Sequence, residues 1–222
     1  MLPLPPLTAQ ADRLVALGVH ELAGLTPAEL CDAAASAGPR DGALLVVRAP
    51  ASRLAPLVQR EGRRGFVVAD MTDVDAFAPI EQAALPDGPV YLLDGPDRGD
   101  ELTNWSPDEA LPEITGRGRT PLTLTEGLHW LLQRPEALER NRCFMTIGSR
   151  LRRPDGRLDA RTPALWLSNG TGRDGRDRRG APKLGWCWAG NRHTWLGFAS
   201  AAGRVPAGLV QAGASPTSAV SG

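Results

Sequence analysis

Residues 182–201 read PKLGWCWAGNRHTWLGFASA, a stretch that holds three of the six tryptophans of the 222-residue chain. In its first half the large side chains Leu184, Trp186 and Trp188 come at every second position. Successive side chains of a β-strand point to opposite faces, so this period predicts a strand with these three residues on one face. The residues AGNR at 189–192 are typical of a turn, and the residues after them predict a returning strand. The stretch therefore predicts a β-hairpin.

Further strands and a helix are predicted before this hairpin. Residues 143–151 (CFMTIGSRL) and 162–169 (TPALWLSN) are strand candidates, and with the hairpin they favour an antiparallel meander. Upstream, Thr123 and Glu126 have the spacing of a capping box, in which two side chains satisfy free backbone N–H groups at the start of a helix. The helix that they begin is expected to end at Pro135.

The N-terminal half predicts helices followed by short buried strands. Two short helices are expected within residues 10–40, the second with Thr26 as its cap, Pro27 in its first turn and Glu29 completing a capping box. Three short apolar segments follow, at residues 43–49, 65–70 and 89–94. Such segments, separated by short helical stretches, predict a small sheet that is covered on both faces. Residues 94–122 are rich in Pro, Gly and Asp and predict loops.

These elements predict an α+β fold with a helical N-terminal cap, a short α/β section and a C-terminal antiparallel sheet that bears a tryptophan cluster. Apolar residues make up 42% of the chain, which is enough for one sizeable core. We expect a single domain over residues 1–204 and a disordered tail over residues 205–222. Within the domain the expected sections are the helical cap (10–40), the α/β section (42–110) and the helix with its sheet (120–204).

Charge is divided unevenly along a chain whose net charge is zero. Residues 1–110 carry 17 acidic and 8 basic side chains, whereas residues 111–200 carry 8 acidic and 16 basic side chains. This asymmetry fits a partner or nucleic-acid surface on the basic half. It fits equally well two halves of one fold that attract each other, or arginine-rich loops, and all three interpretations stay open.

The compartment that the sequence favours is the cytoplasm. Three cysteines in 222 residues are too few and too scattered for a disulfide framework. The first ten residues lack the charged region and apolar core of a secretory signal. No apolar run approaches the ~18 residues that a membrane-spanning helix requires, so we expect no association with a membrane.

Several motifs resemble a family of uncharacterised proteins from actinobacteria, a domain of unknown function. The most specific of them is the Trp-rich segment PKLGWCWAGNRHTWLG, and the resemblance extends over most of residues 10–204. The chain differs from that pattern around residues 49–52, which look shortened, and at residues 171–180 (TGRDGRDRRG), which look like an insertion. The resemblance implies no activity and no catalytic residues.

The predicted hairpin is the leading candidate for a binding site. Several tryptophan rings on one sheet face form a rigid platform that can stack a ring or cage a cation. The expected contacts are Trp186, Trp188 and Trp195 for stacking and Asn191, Arg192 and His193 for orientation. The alternative is that these rings fill the core between the sheet and the helix after Thr123. The hairpin therefore predicts a non-catalytic module that binds a small ligand or a protein partner, with no cofactor.

Carboxylates at strand ends suggest a different function, and whether the protein is an enzyme stays open. Asp70, Asp73, Asp94 and Asp97 follow two predicted strands, where converging carboxylates could hold Mg²⁺ for hydrolysis or phosphoryl transfer. Aspartate is also an ordinary turn residue, and no phosphate-binding glycine motif is present.

Two further hypotheses rest on cysteine, histidine and arginine residues. Cys143, Cys187 and His193 could form a zinc site, but no CxxC pair is present. Cys187 could act as a nucleophile with His193 as its base, but nothing in the sequence visibly activates the thiol. A basic strip beside the aromatic face would suit single-stranded nucleic acid. Its members are Arg117, Arg119, Arg150, Arg152, Arg153 and Arg157. The zero net charge and the single lysine argue against nucleic acid.

Overall fold

The computed structural model describes residues 3–208 of the chain. Its helices are α1 (Leu7–Ala16), α2 (Pro27–Ser36), α3 (Ala51–Leu54), α4 (Pro107–Gly116) and α5 (Leu124–Gln133). Its strands are β1 (Ala43–Val47), β2 (Gln59–Arg60), β3 (Arg63–Arg64), β4 (Phe66–Val67), β5 (Phe77–Pro79), β6 (Val90–Asp94), β7 (Thr120–Pro121), β8 (Cys143–Met145), β9 (Ser149–Leu151), β10 (Arg161–Leu167), β11 (Pro182–Trp188), β12 (Leu196–Phe198), β13 (Ser200–Ala201) and β14 (Gly203–Pro206). The predicted α+β class is confirmed.

Two sheets carry most of the strands. The smaller has the order β1-β6-β14 and is antiparallel throughout. The larger has the order β12-β8-β10-β11-β4. Its three central strands, β8, β10 and β11, are antiparallel to one another, whereas the edge strands β12 and β4 run parallel to β8 and β11 respectively. Three two-stranded ribbons complete the sheets among the described residues: β13-β7, β2-β3 and β5-β9.

Helix α5 lies in the core between the two sheets, and nearly all its side chains are buried. Its predicted capping box is present, with Glu126 accepting from the Thr123 N–H at 2.6 Å and Thr123 accepting from the Glu126 N–H. On the side of the small sheet, His129 contacts β1. On the side of the large sheet, Gly127 packs directly against Phe144 and Leu165.

Gly127 is expected to resist substitution although it lies within a helix. A Cβ atom there would lie 2.6 Å from the Thr146 methyl group and 2.9 Å from a Leu165 methyl group. Helix propensity favours Ala over Gly by about 1 kcal/mol, but overpacking a core costs about 1–3 kcal/mol. We therefore expect Gly127→Ala to lower the free energy of unfolding, measured by denaturant titration. Gly116→Ala in α4 is the matched control, because nothing lies within 4 Å of its added Cβ. A stabilised Gly127→Ala variant would contradict this packing.

Side chains from two helices form hydrogen bonds with the backbone N–H and C=O groups at the free edge of β1. This strand pairs with β6 on one side only. On its other side Gln10 of α1 donates to the Ala43 carbonyl at 2.8 Å and accepts from the Leu45 N–H at 2.9 Å. His129 of α5 accepts from the Val47 N–H at 3.2 Å. The edge is thus closed to pairing with another strand, which is how exposed sheet edges are normally protected.

The N-terminal helices are confirmed, and one helix was missed. Helix α2 begins with the predicted capping box of Thr26 and Glu29. Helix α4 lies within residues 94–122, where the sequence predicted loops. It too begins with a capping box, formed by Ser106 and Glu109, and carries Pro112 in its interior. The same motif that identified the other helices was present, but the Pro, Gly and Asp content of the region obscured it.

The predicted hairpin at residues 182–201 is wrong in its strand pairing. Strand β11 forms as expected, but β10 and β4 occupy its two edges, so no edge is left for β12. The chain instead crosses the end of the sheet and pairs β12 with β8 at the far edge. The crossing segment is held by backbone hydrogen bonds from Asn104 to the His193 carbonyl at 2.8 Å and from Asp108 to the Ala189 carbonyl at 3.3 Å.

Two other expectations also need correction. The apolar segment at 65–70 does not join the other two in one small sheet, because β4 pairs with β11 of the large sheet. Strand β14 includes Val205 and Pro206, which pair with Leu92 and Tyr91 and so extend the folded part beyond the predicted boundary at 204. The rest of the predicted disordered tail, from residue 209 onward, lies outside the described residues.

The acidic and basic halves of the chain meet within the fold. Arg161 binds Asp73 through two hydrogen bonds of 2.7 and 3.0 Å. Arg117 binds Glu101 at 3.0 Å, and two more such pairs involve Arg192 and Arg173. The asymmetry of charge is therefore accounted for in part by attraction between two halves of one fold.

Candidate functional site

A pocket of about 570 Å³ lies on the large sheet. Its floor and walls come from the strands and their ends: Cys143, Trp166, Leu167, Cys187 and Trp195. Its mouth comes from three loops: Arg60, Glu61, Arg140, Asn141, Ser168, Asn169 and Gly180. We call it the Trp166 pocket. It lies on the face of the sheet opposite to α5, because Leu165, next to Trp166 in β10, faces that helix.

Trp166 owes its position to a glycine on the neighbouring strand. Gly185 lies opposite Ala164, and a Cβ at Gly185 would lie 2.5 Å from the Trp166 ring. The indole therefore lies flat across β11 where a larger residue would exclude it. The Lys183 ammonium is 5.1 Å from the centre of the ring, within the range of a cation–π contact. The ring is half-buried, which leaves part of its surface to the pocket.

Trp195 forms the facing wall of the Trp166 pocket. It lies just before β12, so the crossing segment carries it to the far side of β8. The two indoles meet edge to face, with centroids 6.3 Å apart. His193 packs against the other side of Trp195 at 5.5 Å, and its Nε2 atom is buried without a hydrogen-bond partner among residues 3–208. Burial lowers the pKa of His193, so the ring is neutral near pH 7.

Guanidinium groups dominate the charge at the mouth. Arg60 binds Glu61 at 2.6 Å, and its Nε atom is buried with no partner in the described structure. Arg140 is exposed and makes no ion pair with a described carboxylate. Asn141 beside it has a φ of 62°, a turn conformation that Asn tolerates better than most residues. The mouth thus offers one paired and one unpaired cation to an entering ligand.

The two thiols of the pocket, Cys143 and Cys187, are unreactive near neutral pH. Burial raises the pKa of Cys143 to about 11 and that of Cys187 to about 11. Both are therefore protonated near pH 7, and a protonated thiol is neither a good nucleophile nor a metal ligand. Cys187 lies opposite Thr162, four residues along β10 from Trp166. A protonated thiol behaves as a small apolar group, so the two cysteines contribute apolar surface to the pocket.

The charged loop at residues 168–180 borders the mouth of the pocket, which it lines through Ser168, Asn169 and Gly180. Ser168 and Lys183 each donate to Asp174 at 2.7 Å. Burial opposes ionisation of Asp174, but these two hydrogen bonds outweigh it and lower its pKa. Farther along, Arg178 lies over the Phe66 ring at 4.3 Å. The segment that looked like an insertion therefore contributes to the candidate site.

The six predicted contact residues do not form one platform. Trp195 lines the Trp166 pocket. Trp186 and Trp188 meet edge to face at 4.6 Å on the opposite face of β11, with Trp186 half-buried against the core and Trp188 48% exposed. For Trp186 the structure thus favours the alternative of core packing. Asn191 is exposed in the crossing segment, and Arg192 forms an ion pair with Glu109 of α4.

The aspartates proposed as a metal site are not brought together. Asp70 and Asp73 follow β4 of the large sheet, whereas Asp94 and Asp97 lie at the end of β6 in the small sheet. Asp73 is engaged by Arg161, whose hydrogen bonds lower the pKa of the carboxyl group. Within residues 3–208, no three His, Cys, Asp or Glu side chains are placed to share a metal ion, zinc included.

The predicted basic strip is largely engaged within the protein. Arg117 pairs with Glu113 at 2.8 Å and Arg153 pairs with Asp159 at 3.2 Å. Arg119 and Arg150 donate to backbone carbonyls, as does Arg152. These guanidinium groups satisfy turns and strand ends, so they do not form a free strip beside the tryptophans.

The comparisons with known proteins place the chain in a family. The model of a family of unknown function (DUF5701) matches residues 13–207. The chain belongs to this family. Every residue that lines the Trp166 pocket falls within the matched range. Neither the curated proteins nor the solved structures contain a significant match to the chain. Among residues 3–208 no helix is long and apolar enough to cross a membrane.

Several residues of this family member's pocket had no signal in the sequence. Arg60, Arg140 and Asn169 come from three separate loops, and their residue types are those of any exposed turn. Trp166 belongs to the predicted strand at residues 162–169, but its contact with Trp195 depends on the crossing segment. Residues that line a pocket between loops far apart in sequence have no regular spacing, so no sequence motif identifies them.

Proposed function

We propose that the protein is a non-catalytic binding protein for a small planar ligand that carries an anionic group. The observation that supports this proposal most strongly is the Trp166 pocket itself. Its volume of about 570 Å³ falls in the range of about 300–1,000 Å³ that is typical of small-molecule sites. Its concave shape favours a small ligand over a protein surface, since partner proteins are usually bound on flatter areas.

The planar part of the ligand is inferred from the two indoles. Trp166 and Trp195 are half-buried, are fixed by Gly185 and His193, and face the same hollow. Rigid rings lose little entropy when they bind a ligand, and they stack well on other rings. A flat aromatic group that stacks on the free surface of either ring would exclude water from it.

The anionic group of the ligand is inferred from the arginines at the mouth of the Trp166 pocket. Arg140 has no described carboxylate partner, and the Nε atom of Arg60 is buried without one. Arginine binds carboxylate and phosphate groups through two parallel hydrogen bonds. A carboxylate or phosphate at the mouth would supply the partner that the exposed Arg140 lacks. The high pKa values of Cys143 and Cys187 support binding rather than thiol catalysis.

The location that we propose is the cytoplasm. All three cysteines are free thiols in the structure, including the half-buried Cys31. Free thiols persist in a reducing compartment.

The proposal is tested by titrating ribonucleoside monophosphates and an aromatic carboxylate, indole-3-acetate, against the tryptophan fluorescence of the protein. We expect at least one probe to quench the fluorescence saturably. Arg140→Ala should weaken its binding about tenfold, since a hydrogen bond to a charged group contributes about 1.5–3 kcal/mol. Trp166→Ala should weaken it at least as much, through the loss of stacking.

Trp188→Ala is the matched control for these variants. Trp188 is a tryptophan of the same sheet, but it lies on the opposite face and is 48% exposed. This variant should fold and bind as the unaltered protein does. Equal affinity of the Arg140→Ala variant and the unaltered protein would contradict the proposed site. So would the absence of saturable quenching by every probe.

A further inference from the structure

A second hollow lies beside the Trp166 pocket. This hollow has a volume of about 250 Å³ and shares Asn141 and Trp195 with the pocket. Arg142, Asp100 and Thr103 also line it. Because one ring and one turn residue line both spaces, the two hollows are neighbours on the surface, and a ligand longer than the pocket would reach the second hollow past Trp195.

A third hollow extends the path to the surface of α4. Its volume is about 370 Å³, and Thr103 joins it to the second. Trp105 lines it and is 36% exposed, one of three large apolar side chains described as exposed. Glu109 and Arg192 form its far side. We call the second and third hollows together the outer groove.

We propose that the ligand is a short single strand of nucleic acid, with one base in the Trp166 pocket and the following nucleotides in the outer groove. This inference rests on the proposed function, because it names the class of planar anion that the pocket takes. Sites for single strands combine aromatic side chains that stack on successive bases with cations that follow the backbone. Trp166, Trp195 and Trp105 occur in that order along the path.

The charges along the path favour a phosphate backbone. Each carboxylate that lines it has an arginine partner within the protein: Glu61 with Arg60, Asp100 with Arg98 and Glu109 with Arg192. Arg140 and Arg142, by contrast, flank Asn141 at the junction of the two spaces and form no ion pair with a carboxylate of residues 3–208. Two unpaired guanidinium groups thus lie where the strand would pass from the pocket to the groove.

A buried arginine holds this junction in place. Arg98 is 4% exposed and donates to the Ala137 carbonyl and to Glu139, both at 3.0 Å. It also binds Asp100 through hydrogen bonds of 2.6 and 2.7 Å. The turn that carries Arg140 and Arg142 is therefore anchored by Arg98, which also forms ion pairs with the two carboxylates next to it, Asp100 and Glu139.

The test measures the anisotropy of fluorescently labelled thymidine monophosphate, trinucleotide and longer oligothymidylate. We expect affinity to rise from the monophosphate to the trinucleotide and to fall with salt, because phosphate contacts release counterions. Trp105→Ala should lower the affinity for the trinucleotide about tenfold through the loss of one stacking contact. The affinity for the monophosphate should stay unchanged. Arg142→Ala should reduce the slope of log affinity against log salt by about 1.

The outcomes separate this inference from the proposed function. If the monophosphate binds and the oligomers bind no more tightly, the outer groove is not part of the site and the inference is overturned, while the proposed function stands. If only the aromatic carboxylate binds the pocket, the inference likewise fails. If no planar anion binds, both fail. Trp188→Ala again serves as the control and should leave every affinity unchanged.

Discussion

Replacement of Glu126 by Ala is expected to lower the free energy of unfolding by about 3–5 kcal/mol, because it leaves a buried charge without its partner. Glu126 is fully buried and accepts hydrogen bonds from Arg204 at 2.5 and 2.8 Å. Tyr91 donates to it at 3.0 Å, and burial raises the pKa of this tyrosine well above its ordinary value, so its hydroxyl remains a donor. Removal of the carboxylate would leave the Arg204 guanidinium, with a side chain 5% exposed, unpaired in the core. Equilibrium unfolding in urea measures the loss.

Glu29→Ala is the matched control for this prediction. Glu29 occupies the same capping-box position in α2, but it is exposed and binds no arginine in the described structure. Its replacement by Ala should lower the free energy of unfolding by much less than the replacement of Glu126 does. The double variant Glu126→Met, Arg204→Met should recover much of the lost stability, because a buried ion pair replaced by apolar residues is often neutral. Equal losses for the two single variants would show that Glu126 acts only as a helix cap.

Acidification from pH 6.5 to about 4 is expected to lower the free energy of unfolding by about 3 kcal/mol through His129 alone. Burial lowers the pKa of His129 from 6.5 to about 4, against smaller opposing effects of the Thr125 carbonyl and Glu126. Its Nε2 atom accepts from the Val47 N–H, so a proton on that atom would meet another donor. Between these pH values the unfolded chain binds a proton that the folded protein does not. Stability therefore rises with pH through this window.

The variant His129→Gln tests this assignment, because an amide oxygen can also accept from Val47 but does not titrate in this range. The variant should show a clearly smaller pH dependence between pH 6.5 and 4 than the unaltered protein, measured by urea unfolding at a series of pH values. The remainder comes from other groups with lowered pKa values, His193, Glu29 and Glu109. Asp73, Asp159 and Asp174 have lowered pKa values, and their contribution to stability is lost only below their ordinary value of 3.8. Unchanged pH dependence in the variant would contradict the role of His129.

The helix starts show how far local patterns reach. Thr26 with Glu29 and Thr123 with Glu126 predicted two helices that the structure contains. A capping box needs only residues three positions apart, so its energetics are the same in any fold. The second role of Glu126, as the partner of Arg204, had no local signal, because the two residues are far apart in sequence and meet only when β14 pairs with β6.

The candidate site was predicted in part. Trp195, one of the predicted contact residues, lines the pocket together with Trp166, whereas its role in stacking a ligand stays a prediction. Trp186 and Trp188 were placed on the correct strand and on one face with Leu184, but that face is the one toward α5. Sequence period shows which residues share a face, and it does not show which face is covered.

Local sequence patterns predict the α+β class, the starts of α2 and α5, and the alternation of β11. Each of these follows from contacts within a few residues, where hydrogen-bond caps and strand geometry act. The pairing of β12 with β8 depends on the whole fold, and it brings Trp195 against Trp166 in a pocket with Arg60 and Arg140 at its mouth. Strands compete for a limited number of free edges, so their partners depend on every other strand in the sheet. A pocket that depends on these strand pairings therefore cannot be predicted from local sequence patterns.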